Sequence, residues 1–527
     1  MKLSRRLFLG ALSSLPMARI AVGATAHRLT IIHMNDFHSR HEAVDGSALS
    51  CKPGTKPDCF GGAARLASAI AAERAAAEAA GRVVLQVDAG DQFQGSLFYT
   101  AWRGEAELAV MHLLGTEVMT AGNHEFDNGP ENLARFVRGA KFPVLSANTD
   151  ATSEPALAGL LKPHVMVQKG AVKIGIVGLT TLETPTGSSP GPNLLFTPPA
   201  AALAKSAAAL RADGAQLVVA LSHLGVDEDR ALAGQIAGVD VFVGGHSHTL
   251  LSDGETGAAG PAHGAFDGPA GRAVVVQAGC FGRYLGRLDI DLDDNFKIVA
   301  YGGDARHIGF DLPEEPRVAA VVAGYAAQLD LVRRRKVGAA SAPITNDGCR
   351  VGECGLGNFI AEALLATVHG ADLAVINGGG MRTGLPGGDI TIGDVLTMLP
   401  FSNTVATLKL RGVDLLAALA NGVGRAGAGA FPQIAGAKLV WNKDSKTVVS
   451  VALRQADGSF APLQPDRVYL VVTNNFMRAG GDGYIVFRDR AIEPYDAGPL
   501  LNDTVVDAIT AAGVLRPMTD GRISAEG

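Results

Sequence analysis

The hydrophobic pattern of the first 305 residues repeats one unit several times. A short run of β-branched and other apolar residues ends in a polar, glycine-rich turn, and a helical segment often follows. Continuous apolar runs of this kind are typical of strands that are buried on both faces. The runs are Leu29–His33, Val83–Val87, Val144–Leu145, Ile174–Leu179, Leu217–Leu221, Val239–Val243 and Val274–Gln277. The pattern predicts an α/β fold, in which ligands bind at the carboxyl ends of the strands.

Two helical segments stand out from this pattern. Residues 62–80 are rich in strong helix formers, and Gly81 follows them as a helix stop. Residues 313–336 predict a single connecting helix, because prolines and glutamates stand at its start and the basic run Arg333–Lys336 stands at its end. A second α/β region follows from about residue 340 to residue 527.

Composition narrows the class of protein. With 527 residues, two to four domains are expected, and 47% hydrophobic against 19% charged residues excludes wholesale disorder. The net charge of −6 argues against a partner such as a nucleic-acid polymer, which needs clustered lysine and arginine. Glycine is unusually frequent, at 66 residues, and should mark tight turns and close approaches of the backbone.

The amino-terminal residues resemble an export signal. Ser4-Arg5-Arg6-Leu7-Phe8 fits a twin-arginine signal, and Ala24-Thr25-Ala26 fits its cleavage site. We therefore expect residues 1–26 to be a signal peptide and the protein to be periplasmic; the alternative is an unstructured cytosolic amino terminus. The apolar stretch is too short and interrupted to span a bilayer, and the polar residues 519–527 predict no lipid anchor.

The five cysteines agree with an oxidising compartment. Two local pairs, Cys51 with Cys59 and Cys349 with Cys354, each close a short loop, as extracytoplasmic disulfides often do. Cys280 is left over after an apolar run, and we expect it to be a buried, inert thiol.

Five polar segments carry the candidate chemistry of the first region. They contain Asp36-Phe37-His38, Gly90-Asp91, Gly122-Asn123-His124-Glu125-Phe126-Asp127, Ser222-His223 and Gly244-Gly245-His246-Ser247-His248. Each is predicted to follow a strand, so their side chains should share one edge of the sheets. The alternative is a set of buried polar residues with separate structural partners.

The ligand count favours two metal ions. The candidate ligands number seven, more than one tetrahedral site can use, and Asp91 could bridge two ions. Mixed imidazole, carboxylate and amide ligands suit Zn²⁺, Mn²⁺, Fe or Co²⁺. The candidates are Asp36, His38, Asp91, Asn123, His223, His246 and His248.

These segments resemble the calcineurin-like metallophosphoesterases, and the forms GNHEFD, SHLG and GGHSHT resemble the 5′-nucleotidase / UDP-sugar hydrolase branch. The second region strengthens the likeness through CRxxECxLGN, NGGGMR, Pro400-Phe401 and NFxxxGGDG. The resemblance implies a four-layer α/β/β/α sandwich over residues 27–311, a linker helix over 312–340 and a smaller α/β nucleotide-binding domain over 341–527. Both cysteine pairs fall where animal relatives place disulfides, whereas the bacterial periplasmic UDP-sugar hydrolase has Gln in place of His248.

The resemblance also implies residue roles. One metal ion would be held by Asp36, His38, Asp91 and His248, and the other by Asp91, Asn123, His223 and His246. His124 would bind the phosphate, with Asp127 orienting its ring. The substrate-binding residues would be Arg350, Asn377, Arg382, Phe401, Phe476 and Asp482. The two phenylalanines would stack on the base, although phenylalanine in such positions is more often part of a core.

The expected function is hydrolysis of nucleoside 5′-monophosphates by a water that two divalent ions (Zn²⁺, Mn²⁺ or Co²⁺) activate. Activity on UDP-sugars or other nucleotides is expected as well. The alternatives are a sulfur-oxidation thiohydrolase of the same fold, a 2′,3′-cyclic nucleotide phosphodiesterase, and a nucleotide-binding protein without activity. Relatives include both monomers and homodimers.

Overall fold

The computed structural model describes residues 26–45, 51, 59–268, 271–401 and 403–526. The predicted signal segment 1–26 lies outside them, apart from Ala26. None of the helices in this part of the chain combines the length and the apolar composition that crossing a bilayer requires.

The first domain contains fifteen strands in its described residues. They are β1 (His27–Met34), β2 (Val83–Asp88), β3 (Val118–Thr120), β4 (Val144–Leu145), β5 (Thr149–Asp150), β6 (His164–Lys169), β7 (Val172–Thr180), β8 (Leu195–Phe196), β9 (Leu217–His223), β10 (Val241–Val243), β11 (Gly264–Gly268), β12 (Gly271–Val276), β13 (Tyr284–Leu292), β14 (Ile298–Gly302) and β15 (Ala305–His307). The helices are α1 (Ala63–Ala79), α2 (Leu97–Trp102), α3 (Glu105–Leu114), α4 (Gly129–Gly139), α5 (Thr184–Gly187), α6 (Pro199–Ala212) and α7 (Val226–Ala233).

Two large mixed sheets face each other in this domain. Their strand orders are β14-β13-β1-β2-β3-β4, with β15 on β13, and β11-β12-β10-β9-β7-β6. Within them β1 to β4 are parallel, as are β7, β9, β10 and β12. Parallel strands bring their carboxyl ends to one edge, so the loops after β1, β2, β3, β9 and β10 meet there.

Both faces of each sheet are covered. Leu29 and Ile31 of β1 pack against β7 and β9 of the opposite sheet, whereas Ile32 packs against α1. Helices α6 and α7 cover the outer face of the second sheet. The four-layer α/β/β/α sandwich is thereby confirmed, and the continuous apolar runs of the sequence are explained by burial on both faces.

Residues 313–336 do not form the predicted single helix. Helix α8 (Pro316–Ala326) is separated from α9 (Leu329–Arg333) by Ala327 and Gln328, whose ψ angles of −21° and −10° tighten the turn. Val318 of α8 joins the α1 cluster, whereas Leu329 of α9 joins Phe98 in a cluster that the end of α8 also contacts. The end of segment 312–340 is a strand rather than a helix.

The second domain continues the alternation of strands and helices. Its strands are β16 (Lys336–Ala340), β17 (Leu373–Asn377), β18 (Gly388–Thr391), β19 (Val405–Arg411), β20 (Pro432–Ala435), β21 (Ala437–Asn442), β22 (Thr447–Arg454), β23 (Phe460–Pro462), β24 (Val468–Asn474), β25 (Ile492–Tyr495), β26 (Val514–Leu515) and β27 (Ile523–Glu526). Its helices are α10 (Gly355–Thr367), α11 (Ile392–Met398), α12 (Gly412–Gly424), α13 (Asn475–Arg478), α14 (Ile485–Asp489) and α15 (Leu501–Ala512).

The central sheet of the second domain has the order β20-β17-β24-β19-β25. Its two faces are covered by different helices, with Ile376 against α10 and α15 and Val375 against α12 and α14. Strands β17 and β24 are parallel, so the loops after Asn377 and Asn474 share one edge. A smaller α/β domain is confirmed.

Both predicted disulfides are present, Cys51–Cys59 and Cys349–Cys354. The expectation for Cys280 was wrong. Its thiol is free but only half-buried, and it lies close to His248. The loop after β12 brings it to the edge of the candidate site rather than into the core.

Candidate functional site

The seven candidate ligands stand on five loops at the carboxyl ends of strands. Asp36 and His38 follow β1, Asp91 follows β2, Asn123 follows β3, and the other three end or follow β9 and β10. Strand β3 (Val118–Thr120) was not among the predicted runs. The backbone joins the first two loops, as Asp36 N donates to Gly90 O (2.9 Å) and His38 N donates to Asp91 O (3.0 Å).

Five of the seven adopt a left-handed backbone. Their φ angles lie between 50° and 72°, in a region that residues other than glycine adopt infrequently. Such strain persists only where the surrounding structure fixes it, and it concentrates at functional sites. The five are Asp36, His38, Asp91, His246 and His248.

The side chains of these loops converge on Asp91. Its Oδ2 atom lies 3.0 Å from His223 Nε2 and 3.8 Å from His38 Nε2. Asp36 Oδ1 lies 3.4 Å from His248 Nε2 and 3.9 Å from His38 Nε2. Three triads each place their ligand atoms within 4.8 Å of one another: Asp36, His38 and His248; His38, Asp91 and His124; and Asp91, His223 and His246.

A positive charge would stabilise the atoms at the centre of this cluster. Asp91 Oδ2 and His223 Nε2 are buried and, although they lie 3.0 Å apart, neither forms a hydrogen bond with the other or with another described group, which is costly in a protein interior. The Nδ1 atom of His223 lies 2.6 Å from Ala89 O, which leaves Nε2 free as a ligand. Burial opposes protonation of His223, but Asp91 outweighs it and raises the pKa of that imidazole to about 9. A divalent cation supplies the same charge, so the donor set fits a metal site.

Asn123 and His246 form the second side of the cluster. Asn123 Oδ1 lies 3.0 Å from His246 Nδ1, and His246 Nε2 lies 3.1 Å from Glu183 Oε2. Glu183 was not predicted from the sequence, because no motif surrounds it. A carboxylate on the far nitrogen of an imidazole orients the ring.

His124 and Asp127 form a buried pair beside the cluster. His124 Nδ1 lies 2.7 Å from Asp127 Oδ2, and Ser188 donates to the other carboxylate oxygen (2.7 Å). Burial opposes protonation of His124, but Asp127 and Asp91 outweigh it and raise the pKa of the imidazole to about 10. His124 is therefore an imidazolium at neutral pH, with its Nε2–H free of Asp127.

Glu125 organises the loops after β2 and β3, a role that the sequence did not indicate. Its buried carboxylate accepts hydrogen bonds from the backbone N–H groups of Asp91 (2.9 Å), Gln92 (2.8 Å), Phe93 (3.2 Å) and Gly122 (2.6 Å). Burial raises its pKa to about 7. Gly122 allows this approach, since a Cβ there would lie 2.2 Å from Asp91 Oδ1.

A cavity of about 780 Å³ opens beside the cluster, and both domains line it. Segment 494–498 of the second domain, which contains the last two residues of β25 and the loop after it, reaches the candidate ligands. Asn123 Nδ2 donates to Tyr495 Oη (2.9 Å), and His124 Nε2 donates to Ala497 O. The first domain also contributes Arg40, Phe281 and Arg283 to the wall.

The six predicted substrate-binding residues lie on the second domain and outside this cavity's lining. Asn377 and Asp482 are joined by a hydrogen bond from Asn377 Nδ2 to Asp482 Oδ2 (2.7 Å). Arg382 stands over the Phe401 ring at 6.0 Å, and Phe476 packs on Gly481. Arg350 is exposed on the loop that the disulfide Cys349–Cys354 closes.

The two phenylalanines are not core residues. Phe401 is 43% exposed and Phe476 is 44% exposed, whereas neighbouring Met477 and Tyr484 are fully buried. Phe401 stands on the loop after α11 and Phe476 on the short helix α13, and their exposed faces are available for a planar ligand.

Each of the two domains matches a known protein family. Residues 29–250 match the calcineurin-like phosphoesterase family, and residues 336–489 match the 5′-nucleotidase C-terminal domain. The chain is 34% identical over 526 residues to snake venom 5′-nucleotidase of Naja atra, covering 94% of this chain and 98% of that protein. It is 33% identical to human 5′-nucleotidase over 530 residues, covering 95% and 91%.

Solved structures agree in fold. A 5′-nucleotidase precursor from Thermus thermophilus is 36% identical, with a TM-score of 0.60 over 94% of this chain and 99% of that one. The NAD nucleotidase of Haemophilus influenzae is 24% identical, with a TM-score of 0.83 over 95% and 99%. The chain therefore belongs to the 5′-nucleotidase family and is a metal-dependent phosphohydrolase that uses two divalent metal ions.

Proposed function

We propose that this chain releases phosphate from nucleoside 5′-monophosphates at the Asp91 cluster. Asp36, His38, Asp91 and His248 would hold one ion, and Asp91, Asn123, His223 and His246 the other. The observation that carries the assignment is the buried, unpartnered Oδ2 of Asp91 between the Nε2 atoms of His223 and His38. An oxygen placed in this way can bridge two cations.

The residues around the cluster supply the remaining chemistry. When bound, two divalent ions polarise phosphoryl oxygens and lower the pKa of water. His124 as an imidazolium would donate Nε2–H to a phosphoryl oxygen, and Asp127 would hold the ring in that orientation. Asn123 is a neutral ligand and leaves the site positive toward an anionic substrate.

The second domain would bind the nucleoside. Phe401 and Phe476 would stack on the base, at about 1–3 kcal/mol for each face. Asp482 would accept hydrogen bonds from the ribose hydroxyls, with Asn377, Arg350 and Arg382 around the base and the phosphate. The half-exposure of both rings supports this assignment.

Catalysis would need a rotation of the second domain. The proposed substrate-binding residues are absent from the lining of the cavity beside the candidate metal ligands (the metal-side cavity). Segment 494–498 of the second domain lines it instead. The TM-score of 0.60 against a structure 36% identical along nearly its whole length is what a different domain angle would produce. The segment around α8 and α9 is the proposed hinge.

A cross-link tests the rotation. Thr100 Oγ1 donates to Asp503 Oδ2 across the two domains (2.9 Å), so a T100C/D503C disulfide would hold the described arrangement. We expect AMP turnover to be lost with metal content unchanged, and to return on mild reduction, with wild type treated in parallel. Turnover by the cross-linked protein would contradict the rotation.

A substrate panel tests the function itself. The metal-loaded enzyme should release phosphate from AMP, with lower rates for UDP-sugars and other nucleotides. Sulfate release from a protein-bound thiosulfonate, without AMP hydrolysis, would favour the thiohydrolase. Preference for a 2′,3′-cyclic nucleotide would favour the phosphodiesterase. Metal analysis of the same sample would show whether Zn²⁺, Mn²⁺ or Co²⁺ is bound.

We also propose that the protein is periplasmic and exported by the twin-arginine route. The two disulfides among the described residues support an oxidising compartment. Replacing Arg5 and Arg6 with lysine should retain the protein in the cytoplasm, as measured by fractionation. Unchanged export would contradict the signal assignment.

A further inference from the structure

Arg40 is a buried cation in the wall of the metal-side cavity. Only 6% of the residue is exposed, and its Nε atom has no hydrogen-bond partner. Among the described residues, its side chain forms neither a hydrogen bond nor an ion pair with a carboxylate. Arg65 is buried to a similar degree, 8% exposed, yet its guanidinium lies 2.8 Å from Glu314 Oε1.

The surroundings of Arg40 add positive charge. Its guanidinium lies 5.2 Å from the centre of the Phe281 ring, and Arg283 lies at the same distance from that ring. Arg283 also donates to Asp45 O (3.1 Å). An arginine side chain remains charged at neutral pH even when it is buried.

Phe281 fixes these groups beside the metal ligands. Its φ angle is 62°, unusual for a bulky residue, and its N–H donates to Asp36 O (2.7 Å). Its ring lies 5.7 Å from the His38 ring and 5.4 Å from the His248 ring. The strained backbone therefore couples the position of the two guanidinium groups to the Asp36 loop.

A buried charge without a counter-ion is unfavourable unless an anion pairs with it. Arg40 opens into the cavity that receives the phosphate ester, and a guanidinium matches phosphate oxygens in geometry. We propose that Arg40 binds a phosphate oxyanion of the substrate beside the Asp36, His38 and His248 cluster. The inference rests on the proposed function, because that function supplies the phosphate.

Two phosphate groups could fill this role. The first is the phosphoryl group that is transferred, which remains as inorganic phosphate after hydrolysis. The second is an additional phosphate of a nucleoside diphosphate. Both present the same oxyanion chemistry, and AMP and ADP distinguish them.

The test compares R40M and R40K with wild type, all loaded with metal, by calorimetric titration with inorganic phosphate. R40M should weaken phosphate binding by about 10–100-fold, as expected for a lost charged hydrogen bond, and R40K should recover part of it. R65M is the matched control, because it removes a buried arginine outside the cavity, and it should leave phosphate affinity unchanged.

Kinetics and thermal unfolding complete the test. Equal losses of kcat/KM with AMP and ADP identify the transferred phosphoryl group, whereas a loss with ADP alone identifies the additional phosphate.

Without phosphate, R40M should unfold at or above the wild-type Tm, and the Tm increase that phosphate gives wild type should be reduced. The inference is overturned if R40M folds and binds phosphate as tightly as wild type does. If R40M does not fold, the phosphate affinity of R40K decides in its place. Failure of wild type to hydrolyse any nucleotide would overturn the proposed function instead, because phosphate binding is measured without turnover.

Discussion

The candidate metal ligands of the first domain (the metal-side cluster) and the proposed substrate-binding residues of the second domain (the nucleoside-side residues) are built in opposite ways. Asp36, Asp91 and His223 are completely buried and held by backbone hydrogen bonds or by strained backbone. Phe401 and Phe476 are more than two-fifths exposed, the first on a loop and the second on the short helix α13 of the second domain. Metal ligands must be fixed within a few tenths of an ångström before binding, whereas a stacked base tolerates adjustment. The contrast predicts that substitutions among the metal ligands reduce turnover, whereas substitutions of the exposed phenylalanines reduce affinity for the substrate.

The largest effect is expected at Asp91. D91N removes the carboxylate that the group of His38, Asp91 and His124 shares with the group of Asp91, His223 and His246. We expect metal content to fall at both positions and kcat/KM for AMP to drop by at least ~10³-fold. Elemental analysis and steady-state kinetics measure these quantities. The exposed D294N serves as a control, and full metal occupancy in D91N would contradict the bridging assignment.

His124 comes next, because it would act on the phosphoryl group without binding metal. H124A should lower kcat by about 10²–10⁴-fold with metal content preserved. The exposed H369A controls for loss of a histidine. Unchanged hydrolysis by H124A would remove His124 from the proposed machinery.

Phe476 tests the other side of the comparison. F476A should raise KM for AMP by about 5–150-fold, since one stacking face contributes about 1–3 kcal/mol, with little change in kcat. Hydrolysis of p-nitrophenyl phosphate should be unaffected. F460A, a similarly exposed ring on β23, should leave both substrates unchanged. A fall in kcat for both substrates would mean that Phe476 supports the fold rather than the base.

The smallest effect is expected at Asp503, where the two domains touch. Burial raises the pKa of Asp503 to about 6 from an ordinary 3.8. Its contribution to stability is therefore fully present below about 3.8 and is lost as pH rises through about 6. D503N should flatten the dependence of Tm on pH between these two values without changing metal content. Each kcal/mol of lost stability corresponds to about 2–4 °C in Tm. An identical pH profile for wild type and D503N would contradict the raised pKa.

The sequence predicts most of the metal-side cluster because its residues follow apolar runs in short motifs. Residues 62–80 give a helix and all seven runs give strands, with bounds within three residues of the prediction. Strand β3 was not predicted. Arg40, Glu125 and Glu183 gain their roles from partners on other loops, and spacing alone cannot reveal such contacts. The break after α8 depends on where Leu329 packs, which is also a tertiary property.

Glu125 has a consequence for how the two ions load. Its carboxylate ties the loop that carries Asp91, shared by both proposed sites, to Gly122 beside Asn123, which belongs to only one. Loss of this tie would therefore loosen ligands of both proposed sites at once, although Glu125 is not among the proposed ligands. We expect E125Q to weaken the binding of both ions, as measured by titration of the protein with the metal.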